Sequence, residues 1–378
     1  MSREAVREAR RVVVKVGSSL LTRDGALRRA AFGNVANQVA EGMAGGHEIV
    51  LVSSGAIAVG SHTLGWSHPG RSIPEKQAAA AVGQVGLVEL YRRRFARHDR
   101  EVAQVLLTRA GLEDRERFLN ARHTLQTLIE LGVVPIVNEN DTVSTEEIRF
   151  GDNDNLSATV VNLVGADLLV ILTDVDGIYA TPPQPGRRKP PLLPVIEEIT
   201  PAIEAAAGGA GSAFGRGGMS TKLAAAAAAV RGGAATIVCN GRRRDTLSRA
   251  LRGEPVGTFF PARERMASRK HWLAFTTRSH GELCLDTGAV QALMEGGHSL
   301  LPAGIREVRG EFGMGEVVCC VDAGGKEIAR GLSAYSSEAI ARIAGLPTGK
   351  IGEVLGYSNG DAVIHRDDLV VTHEPPNS

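Results

Sequence analysis

The chain has 378 residues, 43% apolar and 22% charged, with 43 Lys and Arg against 42 Asp and Glu for a formal charge of +1. Single hydrophobic cores stop growing near about 250–300 residues, so this length predicts two domains, and the composition is that of an ordinary globular protein rather than a collagen, a disordered chain or a membrane protein. With almost no net charge there is no global field to attract nucleic acid or anionic lipid, so any anion site has to be built locally.

The N-terminal SREAVREARR alternates in charge and leads into VVVKVG, a run too short and too interrupted by Lys15 for a signal peptide. No later run reaches the roughly 18 apolar residues of a spanning helix. Cys239, Cys284, Cys319 and Cys320 form no CxxC pair, which predicts reduced, mostly buried thiols and neither a zinc site nor a disulfide framework. These features together predict a cytoplasmic protein without membrane contact.

From residue 11 to about 258, short β-branched runs alternate with longer Ala- and Leu-rich stretches. RVVVKVG is followed by a helical 28–45 and then EIVLVSSG, with further strands expected at 102–107, 133–137, 168–172 and 235–239. That alternation is the pattern of βαβ units, and near-continuous apolar strands are those covered on both faces of a mainly parallel sheet. Two stretches rich in Pro and Gly, 181–194 and 205–218, are expected to be exposed loops, either lids or hairpin tips. The first domain is expected over 1–260, with a linker at 261–274. Beyond it, short strands punctuated by glycine pairs predict a small β-rich barrel over 275–370 and a disordered tail at 371–378. From 261 onward there are 12 Lys and Arg against 15 Asp and Glu, which lacks the basic footprint of a phosphate-backbone binder.

Four segments carry chemistry. Lys15 ends an otherwise apolar strand and is followed by Gly17; a lysine there is costly unless an anion meets it at the strand's C-terminal edge, the alternative being a side chain that snorkels to water. GGMSTKLAAAAAAV at 217–230 places glycines and hydroxyls before Lys222 and a helix. A lysine in a first turn opposes the helix dipole unless an anion is present, and the Walker order is absent. NENDT at 138–142 and GDNDN at 151–155 gather Asn138, Asp141, Asp152, Asn153 and Asp154, a mixed set of donors and acceptors suited to an amino acid zwitterion. Turn chemistry, with Asp154 or Asn155 capping a helix near Leu156, is the plainer alternative. LLVILTDVDG ends a buried strand in Thr173 and Asp174, a usual border for a nucleotide, and Ser54 and Gly55 follow EIVLV as a candidate anion turn.

Taken in order, VVVKVGSSLLT, VLVSSGAIAVG, LLTRAGLEDRERFLNAR, PIVNENDTV, FGDNDNLSA, LTDVDGIY and GGMSTKLAAA resemble the amino acid kinase family, and within it the bacterial glutamate 5-kinases. SLLPAGI, GEVV and IARG in the second half resemble a PUA domain. The resemblance implies a three-layer sandwich around the parallel sheet and ATP-dependent phosphorylation of the γ-carboxylate of L-glutamate, the first step of proline biosynthesis. Mg²⁺ would be held mainly by ATP oxygens and water, with no protein metal ligands. It implies that Lys15 and Lys222 face the phosphates with Asp154 between them, and that Ser54, Asn138, Asp141, Asp152 and Asn153 hold glutamate. Thr173, Asp174, Arg216, Gly217, Gly218, Met219, Ser220 and Thr221 would line ATP, although Arg216 stands where relatives usually have a small residue. Inhibition by proline and assembly into dimers or tetramers are further implications. The rival readings are N-acetylglutamate kinase, aspartokinase or UMP kinase on the same fold, a silent amino acid-binding regulator, and an RNA-binding protein acting through the PUA-like part.

Overall fold

A computed structural model of the chain describes residues 2–23, 26–143, 153–184, 186–207, 218–262, 279–295 and 297–372. The chain divides into two units, Met1–Arg265 and Met266–Ser378. The strands of the first unit are β1 (Arg11–Val16), β2 (Glu48–Ser53), β3 (Val102–Leu107), β4 (Val134–Glu139), β5 (Leu168–Thr173), β6 (Ala235–Asn240) and β7 (Thr258–Phe260). Its main helices are α1 (Arg29–Ala44), α2 (Ala56–Thr63), α3 (Ile73–Phe95), α4 (Arg115–Glu130), α5 (Asn153–Val164), α6 (Met219–Arg231) and α7 (Thr246–Leu251).

The strands form one sheet in the order β3-β4-β2-β1-β5-β6-β7. Every neighbouring pair is parallel except β6 and β7. All six residues of β4 and of β5 are buried, as expected of strands covered on both faces. Side chains alternate along β1. Val12, Val14 and Val16 enter a core with Phe32 and Val35 of α1 and Leu87, Tyr91 and Phe95 of α3, so Val13 and Lys15 point to the other face. The chain runs outward from β1 through β2, then returns to add β5 on β1's opposite side. This reversal gathers the C-terminal ends of β2, β1 and β5 around a crevice, the usual ligand position in an open α/β sheet.

Helix α3 is fixed against α2 by two glycines. A Cβ at Gly60 would lie 1.7 Å from the Ala79 carbonyl oxygen, and one at Gly83 would lie 1.8 Å from that of Ala56. Only hydrogen in place of a side chain permits this backbone-to-backbone approach. The buried face of α3 carries Ala79, Ala80, Gly83, Gln84, Leu87, Tyr91 and Phe95, the three-and-four spacing of one helical stripe. The proline-rich 181–194 segment is the tip of a hairpin, its base tied by Ala180 N–H to Pro191 O at 2.9 Å and Leu193 N–H to Ile178 O at 2.8 Å.

In the second unit β8 (Gly281–Leu285), β9 (Ile305–Arg309), β10 (Val317–Val321), β11 (Glu327–Leu332) and β12 (Leu369–Val371) make a five-stranded sheet ordered β9-β8-β10-β11-β12. The pair β8 and β10 is parallel and the other three are antiparallel. Leu283, Val318, Cys320 and Ala329 pack beneath it against Tyr335, Ile340 and Ile343. All four cysteines are buried free thiols, and burial pushes the Cys239 thiol up to about 12. No helix among the described residues is long and apolar enough to cross a membrane.

Replacing Gly83 with Ala should force α2 and α3 apart and destabilise the first unit by about 1–3 kcal/mol or more, the usual cost of overpacking. Urea unfolding of Gly83→Ala beside the parent chain tests this; superimposable midpoints would mean that the helices separate freely.

Candidate active site

At the crevice one carboxylate joins three elements. Asp154, in the first turn of α5, is fully buried, and Lys15 of β1 and Lys222 of α6 are 5% and 6% exposed. Lys15 Nζ pairs with Asp154 Oδ1, and Lys222 Nζ lies 3.0 Å from Oδ2. The Thr221 hydroxyl lies 2.8 Å from both Asp154 Oδ2 and the Gly218 carbonyl oxygen, and its single hydrogen serves one acceptor at a time. Burial alone would push the Asp154 carboxyl up. The charges of Lys15 and Lys222, with hydrogen bonds from Lys15 and Thr221, outweigh it and bring the group to about 2. Two ammonium groups thus meet around one carboxylate in a low-dielectric setting, where charges act strongly on one another.

Beside this centre lies a pocket of about 270 Å³, its walls formed by Val175, Ile178, Tyr179, Pro182, Pro183 and Met219, with Lys222 at one side. Thr173 and Asp174, at the end of β5, and Gly218 border it as well. A mostly apolar slot with one cation at its inner end suits a flat aromatic group carrying phosphates. Asp176 braces the rim. It accepts from Lys189 Nζ at 2.7 Å, Asn240 Nδ2 at 2.9 Å and the Tyr179 hydroxyl at 2.9 Å. The bonds from Lys189 and Asn240, the strongest of these influences, hold the Asp176 carboxyl down at about 2. The rim loop, the hairpin and the end of β6 are thereby joined.

On the other side three neutral amides form a row. Asn153 Nδ2 donates to Asn138 Oδ1 at 2.8 Å, and Asn138 Nδ2 donates to Gln84 Oε1 at 2.8 Å. All three side chains are buried. The Ser54 N–H donates to Val16 O at 3.2 Å, joining the ends of β1 and β2, and Gly55 turns the chain into α2 with φ +114°. Asp141 is half-buried in the turn that follows β4.

Of the residues singled out from sequence, Lys15, Asp154, Thr221 and Lys222 meet directly, and Thr173, Asp174, Gly218, Met219 and Lys222 share the pocket. Asn138 and Asn153 are bonded to each other. Ser220 is exposed and does not line the pocket. Helix α5 begins at Asn153 rather than near Leu156, so Asp154 lies inside the first turn instead of capping it. Asp152, Arg216 and Gly217 lie outside the described residues. Gln84, outside the motifs, and Asp176, inside LTDVDG but not singled out there, are further site residues. The apolar stripe of α3 carries the signal for Gln84, because it is the stripe's one long polar residue.

Residues 10–240 match the model of the Amino acid kinase family, and 281–355 match that of the PUA domain. The chain is 53% identical to the glutamate 5-kinase of Paraburkholderia xenovorans over 374 residues, covering 98% of this chain and all of that protein. It is 53% identical to the glutamate 5-kinase of Ralstonia pickettii over 371 residues, covering 97% and 98%. Among solved structures, a carbamate kinase from Giardia lamblia bound to AMP-PNP is 19% identical, with a TM-score of 0.49, over 68% of this chain and 100% of that one.

Because the folded-state carboxyl of Asp154 lies below its ordinary value of 3.8, its ionised form stabilises the fold. That contribution is fully present above the ordinary value and is lost as pH falls through about 2. Asp154→Asn should therefore be less stable than the parent near neutral pH, by about 3 kcal/mol as for other broken buried pairs. The gap should narrow as pH falls from about 4 towards about 2; urea midpoints whose separation ignores pH would contradict this.

Proposed function

The chain belongs to the amino acid kinase family, and we propose that it phosphorylates the γ-carboxylate of free L-glutamate with MgATP, giving L-glutamyl 5-phosphate and ADP. The observation that carries this reading is the buried Asp154 carboxylate shared by Lys15 and Lys222, set between an apolar slot and a row of amides. The nearly full-length likeness to two proteins named glutamate 5-kinase supports the choice of substrate.

In this reaction two anions must approach each other. The γ-carboxylate is already ionised at neutral pH, so the nucleophile needs no general base. One of its oxygens forms a bond to the γ-phosphorus as the bond to the β-phosphate bridging oxygen breaks, and ADP leaves. Catalysis is then in-line alignment plus charge stabilisation. Lys15 and Lys222 face the transferring group, and Asp154 holds both ammonium groups at fixed positions so that little reorganisation accompanies the transfer. Lysines bind no metal, so Mg²⁺ would be held mainly by ATP oxygens and water, where it would screen the phosphates.

The apolar slot takes the adenine, with Thr173, Asp174, Gly218 and Met219 around it. Arg216, Gly217, Ser220 and Thr221 complete the nucleotide side of this assignment. Ser54, Asn138, Asp141, Asp152 and Asn153 hold glutamate. Proline, a zwitterion without the γ-carboxylate, would compete for the same groups and so report on pathway output. A cytoplasmic location and assembly into dimers or tetramers complete the reading.

The first test is MgATP-dependent γ-glutamyl hydroxamate formation from glutamate and hydroxylamine, with N-acetylglutamate, aspartate and UMP offered in parallel. Product from glutamate alone is expected; turnover of another acceptor would overturn the substrate assignment. Lys222→Ala should keep the fold and lose about 10²–10³ in kcat, the range seen when one charge-stabilising group is removed. A near-normal kcat would remove Lys222 from the phosphate site.

A further inference from the structure

One buried polar atom beside the site has no hydrogen-bond partner among the described residues. Gln84 is 7% exposed on the buried stripe of α3, and its Nε2 meets no acceptor among the described residues. A buried amide donor left unpaired destabilises a fold, and Met or Leu would fill the same space without that cost. Packing therefore does not account for a glutamine at this position. Its oxygen does, because Gln84 Oε1 accepts from Asn138 Nδ2 at 2.8 Å.

Three amides in series have a direction, since each side chain offers one accepting oxygen and one donating nitrogen. Asn138 donates to Gln84, so its own oxygen is turned to accept from Asn153 Nδ2, again at 2.8 Å. Asn153 is then held with its nitrogen inward and its oxygen left over. Were the row reversed, Asn153 would present an NH₂ group, which repels an ammonium group rather than binding it. Asn153 immediately precedes Asp154 in the first turn of α5, so the direction of the row sets what is offered beside the cationic centre.

We propose that Gln84 is a positioning residue for amino acid recognition. By accepting from Asn138 it fixes both asparagine amides so that Asn153 Oδ1 accepts from the α-ammonium of the substrate. The preference for an amino acid over a dicarboxylate of the same length without the amino group is thus set partly by a residue that does not touch the ligand. The inference rests on the glutamate reading given above. It is also bound to the placement of α3, because Gly83, the neighbour of Gln84, makes the close contact with α2.

The test is steady-state kinetics of Gln84→Met with glutamate and MgATP, using glutarate as a competing ligand that lacks only the amino group. KM for glutamate should rise about tenfold, the scale of one lost buried hydrogen bond, while KM for ATP and the inhibition constant of glutarate stay within about twofold. In an Asn153→Ala background the same change should add less than about twofold, because residues acting through one another are not additive. A glutamate KM that does not move, or equal weakening of glutamate and glutarate, would overturn the proposal. Gln84→Glu keeps the size and the acceptor and repels both dicarboxylates alike, so it should retain the glutamate-over-glutarate preference. Should Gln84→Met not fold, loss of that preference in Gln84→Glu overturns the proposal on its own. A parent enzyme inactive on glutamate would instead defeat the functional reading, and this inference with it.

Discussion

A carboxylate with no solvent exposure stays ionised only if cations or hydrogen-bond donors offset its burial, and Asp154 draws two lysines from distant parts of the first unit's sequence. Lys15 arrives on the central strand β1 and Lys222 on the first turn of α6. Neither lysine suits its element alone: one interrupts an apolar strand, and the other opposes a helix dipole. Asp154 itself suits its position, since an acidic group in the first turn of α5 complements that helix's dipole. The cluster therefore fixes the relative placement of sheet, α5 and α6 at the point where phosphates would enter. The same charges that hold the fold together form the electrostatic part of the site.

The proposed substrate side depends on a different constraint. Without a side chain at Gly60 or Gly83, the backbones of α2 and α3 come into contact, and this carries Gln84 to within hydrogen-bonding distance of the end of β4. Tyr91, two turns further along α3, bonds the Ser53 hydroxyl at 3.0 Å and packs edge-on to Phe32, anchoring the helix to the end of β2. Burial raises the Tyr91 phenol well above its ordinary value, so it remains a neutral partner. Helix α3 is thus held at a glycine contact and at an aromatic one, with Gln84 between them.

Much of this is legible in the sequence, for physical reasons that differ from residue to residue. Lys15 stands out because a charge inside VVVKV breaks an apolar run, and Lys222 because it follows paired glycines at a helix start. The strands β1, β2, β5 and β6 are legible because short, near-continuous apolar runs bounded by turn residues fit strands covered on both faces of a sheet. The antiparallel strand β7 is not, because TFF is too short to show a period. The start of α5 is displaced because Asn and Asp suit both a cap and a first turn, and only the pairing with Lys15 and Lys222 decides between them. Asp176 is hidden because LTDVDG offers two aspartates and nothing local shows which one the hairpin's Lys189 and the Asn240 at the end of β6 will reach. Gln84 is hidden because its importance lies in a contact 54 residues away in sequence.

In the proposed assignment the two halves of the site solve different problems with different groups. Phosphoryl transfer concentrates negative charge, so fixed cations in a poorly solvated setting act strongly on it. An amino acid's head group carries no net charge, and a cation or anion placed against it attracts one end while repelling the other. Beside the Asp141 and Asp152 carboxylates proposed to meet the same substrate, a row of amides supplies direction without adding charge. None of the three amides titrates, and Asp154 lies near 2, so neither the row nor that carboxylate changes charge near neutral pH. A further charge among the amides would reach the lysines across the same low-dielectric interior and disturb the balance that holds Asp154 ionised. Keeping the row neutral lets it sit close to the lysine–carboxylate centre without altering that centre's charge balance.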